Sequence, residues 1–187
     1  MTQQERTVCA EKILHELGLY NRLAEIGTPH VIGSCRMDMM AWNDLDIDVE
    51  NQNMSSEKLY DLTAWILKTF SPSWYEAKEE VNDEGKTVWF HGFEAVVDGE
   101  LWNFDLWFFD LETIQKAEAY CDRIAAQARK NPGSRETIMR IKEELIARDL
   151  YGFEKYASMD VYRAVLQQNI RSTEELLASY VKQENRI

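Results

Sequence analysis

Acidic and aliphatic residues alternate without exception along the segment 44–49, which reads Asp-Leu-Asp-Ile-Asp-Val. A period of two is typical of a β-strand with two unlike faces. The aliphatic residues would face a core, and Asp44, Asp46 and Asp48 would share the opposite face. Carboxylates so close together repel one another, and hard oxygen ligands at this spacing suit a divalent cation such as Mg²⁺. The alternative is a polar edge strand whose acidic side chains are solvated.

The remaining pattern predicts an α+β fold. Helical periodicity covers two segments before Pro29, and a short strand over 30–33 follows. A helix begins near Ser55 and ends before Pro72, and three strands follow, the last two joined by a hairpin turn at Asp98-Gly99. We therefore expect a small mixed sheet with helices packed on one side, followed by a helical C-terminal region. The predicted domains are a core over 1–110 and a helical region over 111–187. The predicted helices and strands are 5–17, 19–27, 30–33, 44–49, 55–71, 73–81, 86–97, 101–109, 111–130, 134–150, 159–168 and 172–183.

The strand predicted over 101–109 contains an acidic residue in an aromatic-rich run. Asp105 lies at its centre, on the face opposite Trp102 and Phe104. A carboxylate in such a strand is unfavourable unless it is paired or binds a cation. Asp105 is thus a second candidate site residue, with Asn103 and Glu94 as possible neighbours. The alternative is a hydrogen bond from Asp105 to a nearby turn.

A Gly-Ser pair, Gly33-Ser34, ends the apolar run that begins at His30. Glycine allows the backbone to approach a ligand closely, and the serine adds a hydroxyl group and an N–H group. These are the groups that bind phosphate oxygens. The pair therefore predicts a phosphate site close to the acidic strand.

Gly33-Ser34, a turn of about ten residues and then Asp44-Leu45-Asp46 resemble the nucleotidyltransferase superfamily, which includes DNA polymerase beta, poly(A) polymerases and antibiotic nucleotidyltransferases. Among these, the chain is most similar to small bacterial nucleotidyltransferases that modify small molecules. Asp46-Ile47-Asp48 is an alternative acidic pair that the spacing does not exclude. The family carries a third carboxylate on a later strand of the same sheet, a position that Asp105 fits.

The resemblance implies transfer of a nucleotidyl group from a nucleoside triphosphate such as ATP to a hydroxyl group, with release of pyrophosphate. Asp44, Asp46 and Asp105 would be the catalytic residues and would hold two Mg²⁺ ions. Gly33 and Ser34 would bind the terminal phosphates, and Arg36 would add a charged contact. The resemblance also leaves open a non-catalytic member that binds a nucleotide or a partner protein, as a regulatory or antitoxin-like module does.

Charge and composition narrow the choice of partners. The formal net charge is -12, which repels a phosphate backbone, so we expect a small-molecule acceptor and no long nucleic acid. No apolar run is long enough for a membrane span, and the N-terminus does not resemble a signal peptide. The cysteines are three in number and scattered, which favours reduced thiols in a cytoplasmic protein.

Several residues are expected to be structural. We expect Asp48 to be solvated, and Trp74 to lie in the core with most of the other tryptophans, with Trp107 as the best candidate for a pocket beside Asp105. His30 and His91 are expected to be hydrogen-bonded structural residues. Asp38 departs from the family pattern, because an acid near a triphosphate is unfavourable unless it turns away. A third interpretation of the chain is an interaction protein whose acidic strand is only a solvated edge.

Overall fold

The computed structural model describes residues 1–82, 84–152 and 155–184. By its contacts the chain divides into two compact units, Met1–Cys121 and Asp122–Ile187. The predicted domain boundary, after residue 110, lies at the start of the long helix that crosses this division. Residues 153–154 and 185–187 of the predicted C-terminal region lie outside the described residues.

The first unit contains a five-stranded mixed sheet in the order β1-β2-β5-β4-β3. β2 and β5 are parallel, and the other neighbouring pairs are antiparallel. The predicted α+β class with a mixed sheet is therefore confirmed. The helices and strands of this unit are α1 (Gln3–Glu11), a π-helical turn (Lys12–Glu16), α2 (Leu19–Ala24), β1 (Pro29–Val31), α3 (Gly33–Arg36), β2 (Asp44–Glu50), α4 (Ser56–Phe70), β3 (Trp74–Val81), β4 (Thr87–Val97), β5 (Glu100–Phe109) and the first part of α5 (Leu111–Lys130).

One face of the sheet forms the core, as the alternation in β2 predicts. Leu45, Ile47 and Val49 are fully buried and join one cluster with apolar residues of β5 and of α4. Trp102 is fully buried in that cluster, whereas Trp74 is 45% exposed, so the expectation that Trp74 lies in the core is wrong. Trp74 lies at the start of the edge strand β3 and pairs with Glu94, which places its side chain on the opposite face.

Local signals set several boundaries. The Ser55 side chain caps the N-terminus of α4 by accepting a hydrogen bond from the Lys58 N–H. Asp98 and Gly99 have φ values of 53° and 84° and form the predicted turn between β4 and β5. This tight connection makes β5 the antiparallel neighbour of β4, and β5 becomes the central strand of the sheet.

The second unit is helical. It contains the remainder of α5, followed by α6 (Ser134–Ala147), α7 (Ser158–Gln167) and α8 (Thr173–Glu184). A fully buried lysine, Lys142, lies over the rings of Tyr151 and Tyr162 at 5.9 and 5.5 Å. None of the helices in the described part of the chain is both long and apolar enough to span a membrane.

Candidate active site

Three carboxylates from two strands meet on the face of the sheet opposite the core. The parallel pairing of β2 with β5 places Asp46 directly opposite Asp105. Asp44, Asp46 and Asp105 each offer a ligand atom within 4.8 Å of the others, and all three side chains are half-buried. The structure therefore brings Asp105 together with Asp44 and Asp46, although about sixty positions of the sequence separate it from them.

Asn103 lies beside the acidic triad. Its Nδ2 donates a hydrogen bond of 2.9 Å to Asp44 Oδ1. Burial raises the pKa of Asp105, and the bond from Asn103 partly opposes that rise. Asn103 thus helps to hold Asp44 in place, and it lies near the site, as expected for its alternate position in β5.

Gly33 lies against the triad. Its φ is +61°, and a Cβ atom at this position would lie 2.0 Å from Asp46 Oδ2. No side chain fits between the start of α3 and this carboxylate. The backbone of the Gly-Ser turn therefore lies in direct contact with the Asp46 carboxylate, at a distance that only glycine permits.

The Ser34 hydroxyl is buried and unsatisfied. The residue is 5% exposed, and its Oγ has no hydrogen-bond partner among the residues that the structure describes. Buried hydroxyl groups normally find a partner, so this one is available to a ligand. The next residue, Cys35, is not a candidate nucleophile, because burial and nearby carboxylates raise the pKa of its thiol to about 12.

The segment between the Gly-Ser turn and β2 is anchored to the protein. Met39 and Met40 are buried, and Arg6 of α1 donates hydrogen bonds to the Met40 carbonyl and to Asn43 Oδ1. Asp38 accepts a hydrogen bond of 2.9 Å from Gln3. These contacts hold in place the segment that connects Ser34 to the triad. They also give Asp38, the unfavourable acid, a hydrogen-bond partner on α1.

Asp48 differs from its expected position. It is 2% exposed, so the expectation of a solvated side chain is wrong. Burial raises its pKa to about 7, the charge of His30 opposes that rise, and Glu118 adds to it. Asp48 is not a member of the cluster formed by Asp44, Asp46 and Asp105. The burial arises because Asp48 lies opposite His30 on one side and Trp107 on the other, within the sheet.

Glu118 of α5 organises the edge of the site. Its Oε1 lies 2.9 Å from Arg36 Nη1 and 3.2 Å from His30 Nδ1. Arg36 is therefore held at the end of α3, two residues past Ser34. No sequence signal pointed to Glu118, because it lies in an ordinary amphipathic helix. Its role arises only from the folded arrangement.

The donor set fits a hard divalent cation. Three carboxylates with ligand atoms within 4.8 Å of one another are the oxygen ligands that Mg²⁺ prefers. Without a cation, three negative charges at this separation repel one another. The buried Ser34 hydroxyl adds a polar atom suited to a phosphate oxygen. Together these groups suit a cation that is bound with a phosphate.

The chain has the nucleotidyltransferase fold, which is the fold of the solved structures that it matches. The solved structure of Cid1 poly(U) polymerase, with Mg and 3'-dATP bound, matches it with a TM-score of 0.60 and 14% identity over 89% of this chain. The non-canonical poly(A) polymerase complex GLD-2–GLD-3 matches with a TM-score of 0.52 and 12% identity over 87% of this chain. The chain spans about half of these proteins, 50% and 55% respectively. At this identity the likeness establishes the fold.

No family model matches the sequence. No curated protein matches it either.

Proposed function

We propose that the protein transfers a nucleotidyl group from a nucleoside triphosphate to a hydroxyl group of a small acceptor molecule. One observation carries the proposal. Asp44, Asp46 and Asp105 meet within 4.8 Å, beside the close-packed Gly33 and the buried hydroxyl of Ser34. An acidic cluster alone is common, but the adjoining phosphate-binding turn gives this one a specific use.

In the proposed reaction the acceptor oxygen forms a bond to the α-phosphorus. The bond from the α-phosphorus to the bridging oxygen breaks, and pyrophosphate leaves with that electron pair. The acceptor proton passes to Asp105 or to solvent. The protein mainly positions the two reactants and neutralises developing charge, which is where most of the catalysis in phosphoryl transfer arises.

Asp44, Asp46 and Asp105 are the residues that would hold Mg²⁺. Bound there, the cation would lower the pKa of the acceptor hydroxyl and neutralise charge on the triphosphate. Asn103 keeps Asp44 oriented toward the site. Pre-set carboxylates reduce the reorganisation needed when the substrate binds.

The phosphate side of the site is assigned to α3. The Gly33 N–H and the Ser34 hydroxyl would donate hydrogen bonds to phosphate oxygens, and Arg36 would add a charge-assisted contact. The Arg36 guanidinium already donates to Glu118 at 2.9 Å. We propose that this bond keeps the guanidinium beside the phosphate site before the nucleotide arrives.

The charge of the unit that carries the site supports a small acceptor. Met1–Cys121 contains 9 Lys and Arg against 23 Asp and Glu. Such a surface repels a long phosphate backbone. The two structural neighbours are named as poly(U) and poly(A) polymerases, and the acceptor proposed here is not a polynucleotide.

The test combines binding with turnover. We expect Mg²⁺ with a nucleoside triphosphate to raise the melting temperature, and pyrophosphate to be released when a suitable acceptor is present. Asp105→Asn should remove turnover while the protein stays folded, as judged by circular dichroism. Asp98→Asn, a matched change in the exposed β4–β5 turn, should keep both properties. The proposal is wrong if Asp105→Asn turns over at the normal rate or if it unfolds the protein.

A second candidate is a protein that binds the nucleotide without transferring it. The low content of basic residues in the unit that carries the site favours it: 9 Lys and Arg stand against 23 Asp and Glu, and transfer requires positive charge around the leaving pyrophosphate. Nucleotide-dependent stabilisation that depends on Asp44, combined with no pyrophosphate release for any acceptor, would support this candidate over the transferase.

A further inference from the structure

One carboxylate oxygen at the edge of the proposed phosphate site is shared by two basic side chains. Glu118 Oε1 accepts a hydrogen bond of 2.9 Å from Arg36 Nη1, and it lies 3.2 Å from His30 Nδ1. Because an ionised carboxylate only accepts hydrogen bonds, Nδ1 is the atom that carries the hydrogen of a neutral His30 ring. The ring thus already donates to Glu118, and its other nitrogen, Nε2, is the one that a further proton would occupy.

The second ring nitrogen of His30 faces a carboxylate and has no hydrogen-bond partner. Nε2 is buried, has no partner among the residues that the structure describes, and lies 3.9 Å from Glu50 Oε1. Without a proton, Nε2 can only accept a hydrogen bond, and the Glu50 carboxylate has none to donate. With a proton, Nε2 becomes a donor at ion-pair distance from Glu50. The surroundings of His30 therefore provide carboxylates for both nitrogens of the charged ring.

Other charged groups near His30 lie on the elements packed against β1. Asp48 of β2 is directly opposite His30 in the sheet, and burial raises the pKa of Asp48 to about 7. α2 also packs against β1, but its cation Arg22 forms ion pairs with two other carboxylates. The positive charge that the structure places against Glu118 is therefore that of Arg36.

Nucleotide binding would change the charge balance around Glu118. In the proposed site Arg36 contacts the triphosphate, whose negative charge then lies close to the Glu118 carboxylate. One guanidinium cannot balance both, and like charges repel strongly in a partly buried site because solvent screens them weakly. A second positive charge beside Glu118 removes this conflict. His30 is already in contact with the carboxylate and needs only a proton to supply it.

We propose that His30 is a positioning residue that takes up a proton from solvent when the nucleotide binds, and that the resulting imidazolium balances Glu118 in place of Arg36. The guanidinium can then bind phosphate oxygens without leaving an uncompensated carboxylate beside them. This inference rests on the nucleotide site proposed above. Proton uptake and nucleotide binding are linked, so the affinity for nucleotide rises as the pH falls into the range where histidine is protonated, and it levels off below that range.

The experiment observes the His30 ring directly. The chain contains three histidines, so one variant each assigns the ring signals of the full chain labelled with ¹⁵N-histidine. At pH 7.5 we expect the His30 signals to change from the neutral toward the imidazolium pattern when Mg²⁺ and adenosine 5′-(α,β-methylene)triphosphate are added. His91, which is buried against Tyr75, should stay neutral, and the exposed His15 should not respond.

Calorimetry in buffers with different enthalpies of ionisation counts the protons. We expect the parent to take up about one-half to one proton more per nucleotide than His30→Asn, whose amide replaces Nδ1 as the donor to Glu118 but binds no proton. The nucleotide Kd should fall about three- to tenfold more in the parent than in His30→Asn between pH 8 and pH 6.5. Glu118→Gln, which removes the charge to be balanced, should lose the extra uptake, and His15→Gln should keep it.

The inference is wrong if His30→Asn takes up as many protons as the parent, or if Asp48→Asn alone removes the uptake. It can fail separately from the proposed function, because these measurements need no transfer. If the ring becomes charged and no acceptor gives pyrophosphate release, the inference stands and the transferase fails. If pyrophosphate release occurs and the ring stays neutral in the nucleotide complex, the transferase stands and the inference is wrong. If the nucleotide does not bind, both are wrong.

Discussion

Gly33 and Asp46 are in such close contact that a methyl group at position 33 would overlap the carboxylate, at 2.0 Å from Oδ2. The Gly-Ser turn and the acidic strand are therefore one packed unit. About ten residues connect the turn to the strand, and Met39 and Met40 anchor this connection in the core. The proposed phosphate and cation sites adjoin for this reason.

Gly33→Ala tests this contact. The variant should lose more stability than a positive φ alone explains, because the added Cβ must displace Asp46. We expect a loss of about 2–4 kcal/mol in the free energy of unfolding, measured in urea, from backbone strain and overpacking together.

Gly99→Ala is the matched control. Gly99 has a φ of +84°, but nothing lies within 4 Å of the position that a Cβ atom would take there. That variant should lose only about 1–2 kcal/mol from the left-handed conformation. Equal losses for the two variants would show that Gly33 and Asp46 do not press on each other.

Ser34→Ala should separate ligand binding from stability. The Ser34 hydroxyl is buried without a partner in the described part of the chain, so its removal should leave the free energy of unfolding unchanged or raise it by about 1 kcal/mol. The KM for the nucleoside triphosphate should rise, because a donor to phosphate is lost. Ser55→Ala should do the reverse. It removes a helix cap, lowers stability by about 1 kcal/mol and leaves KM unchanged. A large loss of stability in Ser34→Ala would instead assign the hydroxyl a structural role.

Asp44→Asn and Asp48→Asn distinguish the two acidic pairs that the sequence allows. Asp44 lies in the cluster with Asp46 and Asp105, whereas Asp48 does not. We expect Asp44→Asn to abolish the rise in melting temperature that Mg²⁺ and nucleotide cause, and Asp48→Asn to keep most of it. Calorimetry with Mg²⁺ and a non-hydrolysable nucleotide measures both. The reverse result would assign the cation to the Asp46 and Asp48 pair.

His91 predicts a specific dependence of stability on pH. It is fully buried on the core face, bonded to Tyr75 Oη at 2.7 Å, and burial lowers its pKa to about 4 from 6.5. The unfolded chain therefore binds a proton at higher pH than the native protein does. Stability from this histidine is complete above pH 6.5 and is lost as the pH falls toward 4, by up to about 3 kcal/mol.

His91→Gln isolates that contribution. The variant should be less stable than the parent at pH 7.5, and the difference should shrink as the pH falls from 6.5 to 4.5, in urea unfolding at each pH. His15→Gln provides the comparison, because His15 is more than half exposed. A difference between parent and His91→Gln that does not change with pH would contradict a neutral, buried imidazole.

Much of this protein follows from its sequence alone. The alternation in β2 and the hairpin at Asp98 and Gly99 set local structure, because side-chain periodicity and turn geometry depend on a few neighbouring residues. The α+β class and the residues of the triad followed from these patterns and from the resemblance that Gly33-Ser34 and the acidic pair carry. Residue type and spacing are sufficient where the chemistry requires specific groups.

Only the tertiary structure decided which of these residues meet, and where. The parallel pairing of β2 with β5 placed Asp105 opposite Asp46, and strand order depends on long-range packing that no local pattern reports. The same packing buried Asp48 and left Trp74 exposed, because burial depends on which strands are central and which form the edge. Glu118 lies on α5, more than eighty residues after Arg36 in the sequence, and only the fold brings their side chains into contact.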